Sequence, residues 1–403
     1  MISSYVSSSL DKDADIAGFT AAKGAIAGLN GKPAHLLFVF SSVMFDQTTV
    51  LSAVKRAAGD ARIVGASTAG EIGQNGPVDG NSVTVMAISA PELSFSIGVA
   101  EGLKADAHGT GNDAATRMLD GFHSESSPKL AIMFADGLSG NASAALRGIL
   151  KKLGTNFPVV GGSAGDDAQY KQTYQYADGK VYSDSVVLLG ISGAFTFSLG
   201  VKHGWMPIGE PKTVTRSEGA IVYEIDGAPA YAIYKDYFGD EVAKQLSSGP
   251  LAKLALSYPL GIVTPEYKGE YLLRAPFFAQ PDGSIICGGE MPVGSTVRIM
   301  TGDKEGAISA ARVAGQNAIE MLGGKPELAL IFSCHVRDKL FGGMAKTADE
   351  ISAVRGEIGV DVPVAGFYTY AEQAPINGES RSIEKCNPSV HNETIVICLF
   401  KSE

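Results

Sequence analysis

Three stretches of this chain repeat one pattern, and that repetition limits the fold more than anything else in it. The first contains HLLFVFSS (His35 to Ser42), RIVGASTAG (Arg62 to Gly70) and SVTVMAI (Ser82 to Ile88). The second contains LAIMFADG (Leu130 to Gly137), PVVGGSAG (Pro158 to Gly165) and SVVLLGI (Ser185 to Ile191). The third contains LALIFSC (Leu328 to Cys334), PVAGFYT (Pro363 to Thr369) and ETIVICL (Glu393 to Leu399). In each, an apolar strand ends in a small polar residue and a helix-length segment follows. A second strand then breaks into glycine and hydroxyl residues, and a third strand closes the unit. Repeated supersecondary units pack alike, so three polar strand ends should recur at equivalent places and mark a binding site.

Strand and helix alternate through the first half, the pattern of a layered α/β domain. Asp46 and Asn141 are expected N-caps of helices over Asp46 to Asp60 and Asn141 to Gly154. A further helix is expected over Asp106 to Phe122. The character changes after Gly200: GWMPIGEPKTVTRSEGAIVYEIDGAPA reads as β-rich, and EYLLRAPFFAQPDGSIICGGEMPVGSTVRIM as antiparallel strands with a Pro281-Asp282-Gly283 turn. Lys235 to Gly249 and Lys304 to Leu322 are expected helices. The expected fold is α/β, with strand-helix-strand-strand modules in two related layered domains. Its parts are an N-terminal helical segment (1–32), a first domain (33–216), and a second domain (217–403) whose first part is β-rich.

With 403 residues, two domains or more is the fair prior. A mean hydropathy of +0.10 fits a globular chain with large cores. The net charge of -10, with no basic cluster, argues against nucleic-acid or anionic-membrane partners. Four scattered cysteines form no CxxC, which disfavours structural zinc and attached haem and suits a reducing compartment. The start carries no basic, then apolar, leader, and the apolar tract Val186 to Val201 is too short and too interrupted to span a bilayer. A cytoplasmic protein is expected.

Several blocks resemble the FIST family of bacterial sensory proteins: VFSSVMFD, VGASTAGEI, VVGGSAGDD, MPVGSTVRIMTGD, and GFYTYAEQAP with HNETIVICLF. The resemblance runs from about Pro33 to Phe400. It departs where Tyr370-Ala371-Glu372-Gln373 stands in place of a Gly-Glu that follows the tyrosine in many relatives. It implies a FIST N domain followed by a FIST C domain and a cytoplasmic role in signal transduction. Two readings follow. One is a haem-based (haem b) nitric-oxide sensor of a two-component system, acting on a separate histidine kinase. The other is a receptor for small molecules of the amino-acid type. A homodimer is compatible with either, and no kinase or receiver segment is recognisable, so output should pass to another polypeptide.

The expected ligand-binding residues are Ser67, Thr68, Gly70, Ser163 and Gly165 at the strand breaks, with Arg274 and Tyr368. Hydroxyls and free N–H groups at such breaks hold carboxylate or phosphate, although glycine there also serves turns. The carboxylates Glu71, Asp166, Asp167 and Glu372 are either ligands for a cation or turn caps. If haem binds, His203 is the expected iron ligand, because an apolar strand delivers it beside Trp205; His391 is the alternative. His335 beside Cys334 raises a lesser, cysteine-dependent enzyme reading. Arg337 and Arg274 are expected to be structural or ligand-anchoring cations.

Overall fold

In the computed structural model, which describes residues 1–78, 80–123, 126–139, 141–241, 256–264, 270–376 and 386–403, every repeat has the same element order. A leading strand is followed by a helix, a strand, a helix, a parallel strand, a two-stranded hairpin and a closing strand. In the first repeat these are Ser3–Ser9, Ala14–Ala27, Leu36–Ser41, Gln47–Ala58, Arg62–Ser67, the hairpin Glu71–Gly73 with Gly76–Pro77, and Val83–Ser89. The second runs Leu93–Glu101, Ala107–Asp120, Leu130–Ala135, Ala142–Leu153, Val159–Ser163, Gln175–Ala177 with Lys180–Tyr182, and Ser185–Gly193. The third runs Phe195–Lys202, Lys304–Leu322, Leu328–Cys334, Ala348–Ile358, Val364–Thr369, Glu372–Pro375 with Pro388–His391, and Ile395–Ser402. It also has a short helix, His335–Phe341, after its second strand.

Each repeat builds one six-stranded sheet, but its hairpin is given away. The hairpin of the first repeat joins the third sheet, pairing Ile72 with Gly366. The hairpin of the third joins the second sheet, pairing Gln373 with Gly161. The hairpin of the second joins the first sheet, pairing Tyr176 with Gly65. The exchange closes a ring, so no repeat completes its sheet alone.

The two parallel strands of each repeat read as continuous apolar runs because both of their faces are buried. Inward-facing Phe38, Phe40, Phe134, Phe332 and Phe367 from all three sheets share one central core. The opposite faces pack against each repeat's own helices, as Leu37, Val39 and Ile63 do with Ala21, Val50 and Val54. Asp46, Asn141, Asp106 and Asp303 accept first-turn N–H bonds as N-caps.

The β-rich stretch is an antiparallel sheet inserted in the third repeat between Phe195–Lys202 and Lys304–Leu322. Its strands include Met206–Glu218, Ile221–Ile225, Pro276–Ala279, Ile285–Cys287 and Thr296–Thr301. It has its own core of Val214, Val222, Tyr234, Leu260, Val297 and Ile299. The α/β class and this β-rich start stand as expected.

Three details differ from expectation. Residues 1–32 are not simply helical: Ser3–Ser9 is a strand antiparallel to Val83–Ser89, since its small and apolar residues alternate and bury Val6. The expected boundary at 216/217 falls inside the strand Met206–Glu218, because the change in composition there marks a turn of the inserted sheet rather than a linker. The helix expected over Lys235 to Gly249 is found as Ala232–Phe238, and positions 242–249 lie outside the described residues.

Candidate functional site

The repeat brings three side chains to equivalent buried positions at the start of the exchanged hairpins: Glu71, Gln175 and Glu372. Each meets a residue at the entry to a closing strand. The Ser82 hydroxyl donates to Glu71, the Ser185 hydroxyl donates to Gln175 Oε1 at 2.7 Å, and the Thr394 N–H approaches Glu372 Oε2 at 3.3 Å. Thr68 and Thr369 hydroxyls donate to Glu71 and Glu372 in matching fashion. These carboxyls are therefore part of the joints between repeats. Burial pushes both up to about 8 from 4.5, against the hydrogen bonds they accept.

A pH dependence follows. Between those values the folded carboxyls hold protons that the unfolded chain has released, so stability is full near pH 4.5 and falls as pH rises to about 8. Glutamine mimics the protonated acid, and the second repeat already carries Gln175 there. Urea midpoints measured from pH 7 to pH 8, above the range in which the buried neutral imidazoles of His203, His335 and His391 add an opposite slope, should fall for the wild type. The slope should be flatter for Glu71→Gln with Glu372→Gln, and an unchanged slope would refute the assignment.

A cavity of about 840 Å³ opens beside these joints, between the second repeat, the third repeat and the inserted sheet. Asp136, Ser163 and the helix start Asn141–Ser143 come from the second repeat. Cys334, His335, Thr369 and Tyr370 come from strand ends of the third, and Ala220, Phe277, Phe278 and Cys287 from the inserted sheet. The wall is mostly apolar.

His335 is the least satisfied group in that wall. It is 4% exposed, and neither ring nitrogen has a hydrogen-bond partner. Asp338 Oδ2 lies 3.5 Å from Nδ1, but without hydrogen-bonding geometry. Burial pushes the imidazole down to about 3, so it is neutral at physiological pH. Beside it the Tyr170 and Tyr370 rings stack, with centroids 5.3 Å apart and planes 14° apart. The Tyr370 hydroxyl is anchored on Asp166.

Of the expected ligand-binding residues, Ser163 stands in this wall, its hydroxyl accepting from Gln373 Nε2 at 3.0 Å. The others hold the repeats together. Ser67 donates to the Gly165 carbonyl at 2.7 Å and accepts from the Tyr174 N–H. Thr68 binds Glu71 and the Gly70 N–H. A side chain on Gly165 would strike the Ala69 backbone nitrogen, and one on Gly70 would strike Met344. Tyr368 is fully buried, its hydroxyl without a partner, and does not line the cavity. Arg274 lies behind the wall with its guanidinium on the carbonyls of Glu290, Leu273 and Val390. Asp166 accepts from the N–H groups of Tyr170, Lys171 and Gln172, and Asp167 from the Ser42 hydroxyl and the Val43 N–H.

His203 and His391 do not line the cavity. The Trp205 N–H donates to His203 Nδ1, and His391 Nε2 faces the Ala374 carbonyl at 3.0 Å. Both rings are held neutral by burial. Each therefore carries its proton on Nε2 and offers no Nε2 lone pair. The strand does end at Cys334, so Cys334 and His335 share one wall; burial pushes the thiol well up and away from a thiolate. On the aromatic side of the site, Tyr370 was named only where the chain departs from its relatives, and Tyr170, Phe277 and Phe278 were not singled out from the sequence. Their one signal is position, each lying just beyond a strand break or within the inserted strands.

The family model of the FIST N domain matches residues 35–228 and that of the FIST C domain residues 230–375. An uncharacterized protein of Mycobacterium tuberculosis is 28% identical over 261 residues, which cover 62% of this chain and 64% of that protein. An uncharacterized protein of Methanocaldococcus jannaschii is 32% identical over 123 residues, 28% of this chain and 24% of its own. The chain thus spans less than two thirds of these curated relatives. Among solved structures, a cyanuric acid hydrolase from A. caulinodans aligns over 100% of both chains with a TM-score of 0.37 and 10% identity.

Proposed function

The chain belongs to the FIST family, with a FIST N domain followed by a FIST C domain, and on that premise we propose that it is a sensory protein of signal transduction whose small-molecule ligand occupies the cavity around His335. The carrying observation is the cavity's position. Its wall is assembled from two repeats and the inserted sheet, so an occupant touches three pieces of chain at once. A ligand that binds one packing of those pieces better than another shifts the population between them. The signal then passes to a separate signalling protein, a histidine kinase in the two-component reading, within the cytoplasm.

Binding rather than catalysis is supported by the chemistry of the wall. Cys334 is held as a thiol by burial, and His335 has no partner that would make it a base toward that thiol. The haem-based reading relies on His203 or His391; neither lines the cavity, and the bonds each ring makes favour the tautomer with its proton on Nε2. A spectrum of protein purified from haem-supplied cells tests that reading directly. A Soret band that shifts with nitric oxide would restore it.

Ser143 sits in the first turn of Ala142–Leu153 and lines the cavity. Ser143→Trp should fill the cavity from a position where the helix tolerates a larger side chain. In a thermal-shift screen of metabolites, a ligand at 100 times its Kd stabilises the native state by about 2.7 kcal/mol. Wild-type protein should show such a shift and Ser143→Trp should not, with unchanged far-ultraviolet dichroism. The same shift in both proteins would place the ligand elsewhere.

A further inference from the structure

Resting on the reading that this cavity holds the ligand, we propose that the inserted sheet is a cover that admits the ligand by parting from the second repeat, and that Glu290 is the clasp that holds it shut. The sheet is attached unevenly. Both of its chain connections run to the third repeat, from Phe195–Lys202 on entry and into Lys304–Leu322 on exit. Hydrogen bonds reinforce that side. Arg274 donates to the Val390 carbonyl at 3.0 Å, and the Asn392 side chain accepts from the Ala275 N–H and donates to the Gly288 carbonyl. Apolar packing does the same: Leu340 joins a cluster with Leu273 and Met300, and Cys334 one with Leu256 of the insertion.

The second repeat holds the sheet by one side chain. Among the described residues, every hydrogen bond between the two goes to Glu290. Its Oε1 accepts from Asn141 Nδ2 at 2.6 Å and from Arg147 Nη2 at 2.9 Å, and Arg147 Nη1 donates to Oε2. Among the same residues no buried apolar cluster joins the two, and the cavity lies between them. An element braced on one side and held on the other by a few accessible bonds opens at low cost.

The clasp has the chemistry of a reversible contact. The Arg147 side chain is 55% exposed and that of Glu290 20%, so water takes over their bonds as they part and salt screens the pair. Burial pushes the Glu290 carboxyl up, but the bonds from Arg147 and Asn141 outweigh it and hold the group below its ordinary value, hence ionised. The backbone carbonyl of Glu290 accepts from Arg274 Nε at 2.9 Å, which keeps this loop on the sheet when the side chain lets go.

The mouth lies on the same seam. Leu138 and Tyr170 of the second repeat and Phe278 of the sheet line the cavity, and they are 39%, 42% and 40% exposed. Large apolar side chains facing solvent from both sides of one seam form an apolar entrance.

The test needs no ligand, because two thiols line the covered cavity. Cys334 of the third repeat is 2% exposed and Cys287 of the sheet 3%, while Cys398 is fully buried in the central core. Burial pushes all three thiols up, so they react only when uncovered. The full chain is labelled with N-phenylmaleimide, which is neutral, and mass spectrometry gives a rate at each cysteine. Glu290→Ala should speed Cys334 and Cys287 by about 10-fold, the scale of the charge-assisted bonds removed, and leave Cys398 unlabelled. Arg147→Met, a change on an exposed helix face, serves if Glu290→Ala fails to fold. It should speed both by about 3-fold and add nothing to Glu290→Ala in the double variant. Raising salt from about 0.05 M to about 0.5 M should speed the wild type and not Glu290→Ala. Equal Cys334 rates in wild type and Glu290→Ala would overturn the clasp. Labelling of Cys398 in step with Cys334 would overturn it too, since that reports unfolding of the whole chain. The ligand reading stands or falls separately, on the thermal shift that Ser143→Trp should remove.

Discussion

Gly366→Ala is expected to abolish stable folding, a large effect for a single methyl group. A Cβ at Gly366 would lie 1.8 Å from the carbonyl oxygen of Ile331 and 2.7 Å from its carbon. That neighbour is backbone, so no side chain can rotate away. Nor can the strand move: Gly366 pairs in parallel register with Ile331 on one side and antiparallel with Ile72 of the exchanged hairpin on the other. Phe367 beside it is locked among Phe40, Phe134 and Phe332. The cost should exceed about 4 kcal/mol, in the range reserved for steric conflicts in a core. The repeat supplies its own replicates, because alanine at Gly65 or Gly161 would meet Val39 or Met133 oxygens at 1.8 and 2.0 Å. Gly356 is the control. It lies in the helix Ala348–Ile358 with nothing within 4 Å of a built Cβ, so Gly356→Ala should stabilise by about 0.4–1 kcal/mol. Urea denaturation followed by dichroism reads all four variants, and a Gly366→Ala protein of wild-type stability would contradict the described pairing.

Arg337→Met is expected to be nearly as damaging, for an electrostatic reason. Arg337 and Glu350 are fully buried and meet at 2.6 Å. The same guanidinium donates to the carbonyls of Ala307 at 2.8 Å and Glu393 at 3.2 Å, and to that of His203. It thereby ties the first helix of the third repeat to the joint before the inserted sheet and to the closing strand. Methionine fills similar volume but strands the Glu350 carboxylate in the core. Removing one partner of a buried pair costs about 3–5 kcal/mol. Arg337→Met with Glu350→Gln should recover part of that loss, since the stranded charge is gone while the carbonyls remain unpaired. A double variant no more stable than Arg337→Met alone would show that the carbonyl bonds, not the charge, carry the energy.

The two arginines also show where reading the sequence stops. Arg274 and Arg337 stand in strand-end contexts that suit ligand anchoring equally well, and their neighbours in sequence cannot tell the two roles apart. What assigns them to structure is that backbone carbonyls from distant segments converge on each guanidinium. The histidines divide in the same way. His203 had the better local context, an apolar strand before it and the tryptophan after it, yet that context delivers the Trp205 N–H onto its Nδ1. His335, which the sequence offers both as a further candidate haem ligand behind His203 and His391 and as the neighbour of Cys334, is the imidazole left without partners in the cavity wall.

What the sequence determined by itself was the repeat, its strands and capped helices, the α/β class and the place of the β-rich insertion. These depend on periodicity, caps and glycine breaks within a few residues of one another, so they are written locally. Which strand ends face a ligand was decided only in the tertiary structure. The exchange of hairpins turns Ser67, Thr68, Gly70 and Gly165 into joints between repeats, and the inserted sheet walls off the junction that keeps Ser163 and His335 around open space. Equivalent residues in three repeats look alike in sequence. They differ in role because only one junction carries the insertion, and that asymmetry arises from contacts between segments far apart in the chain.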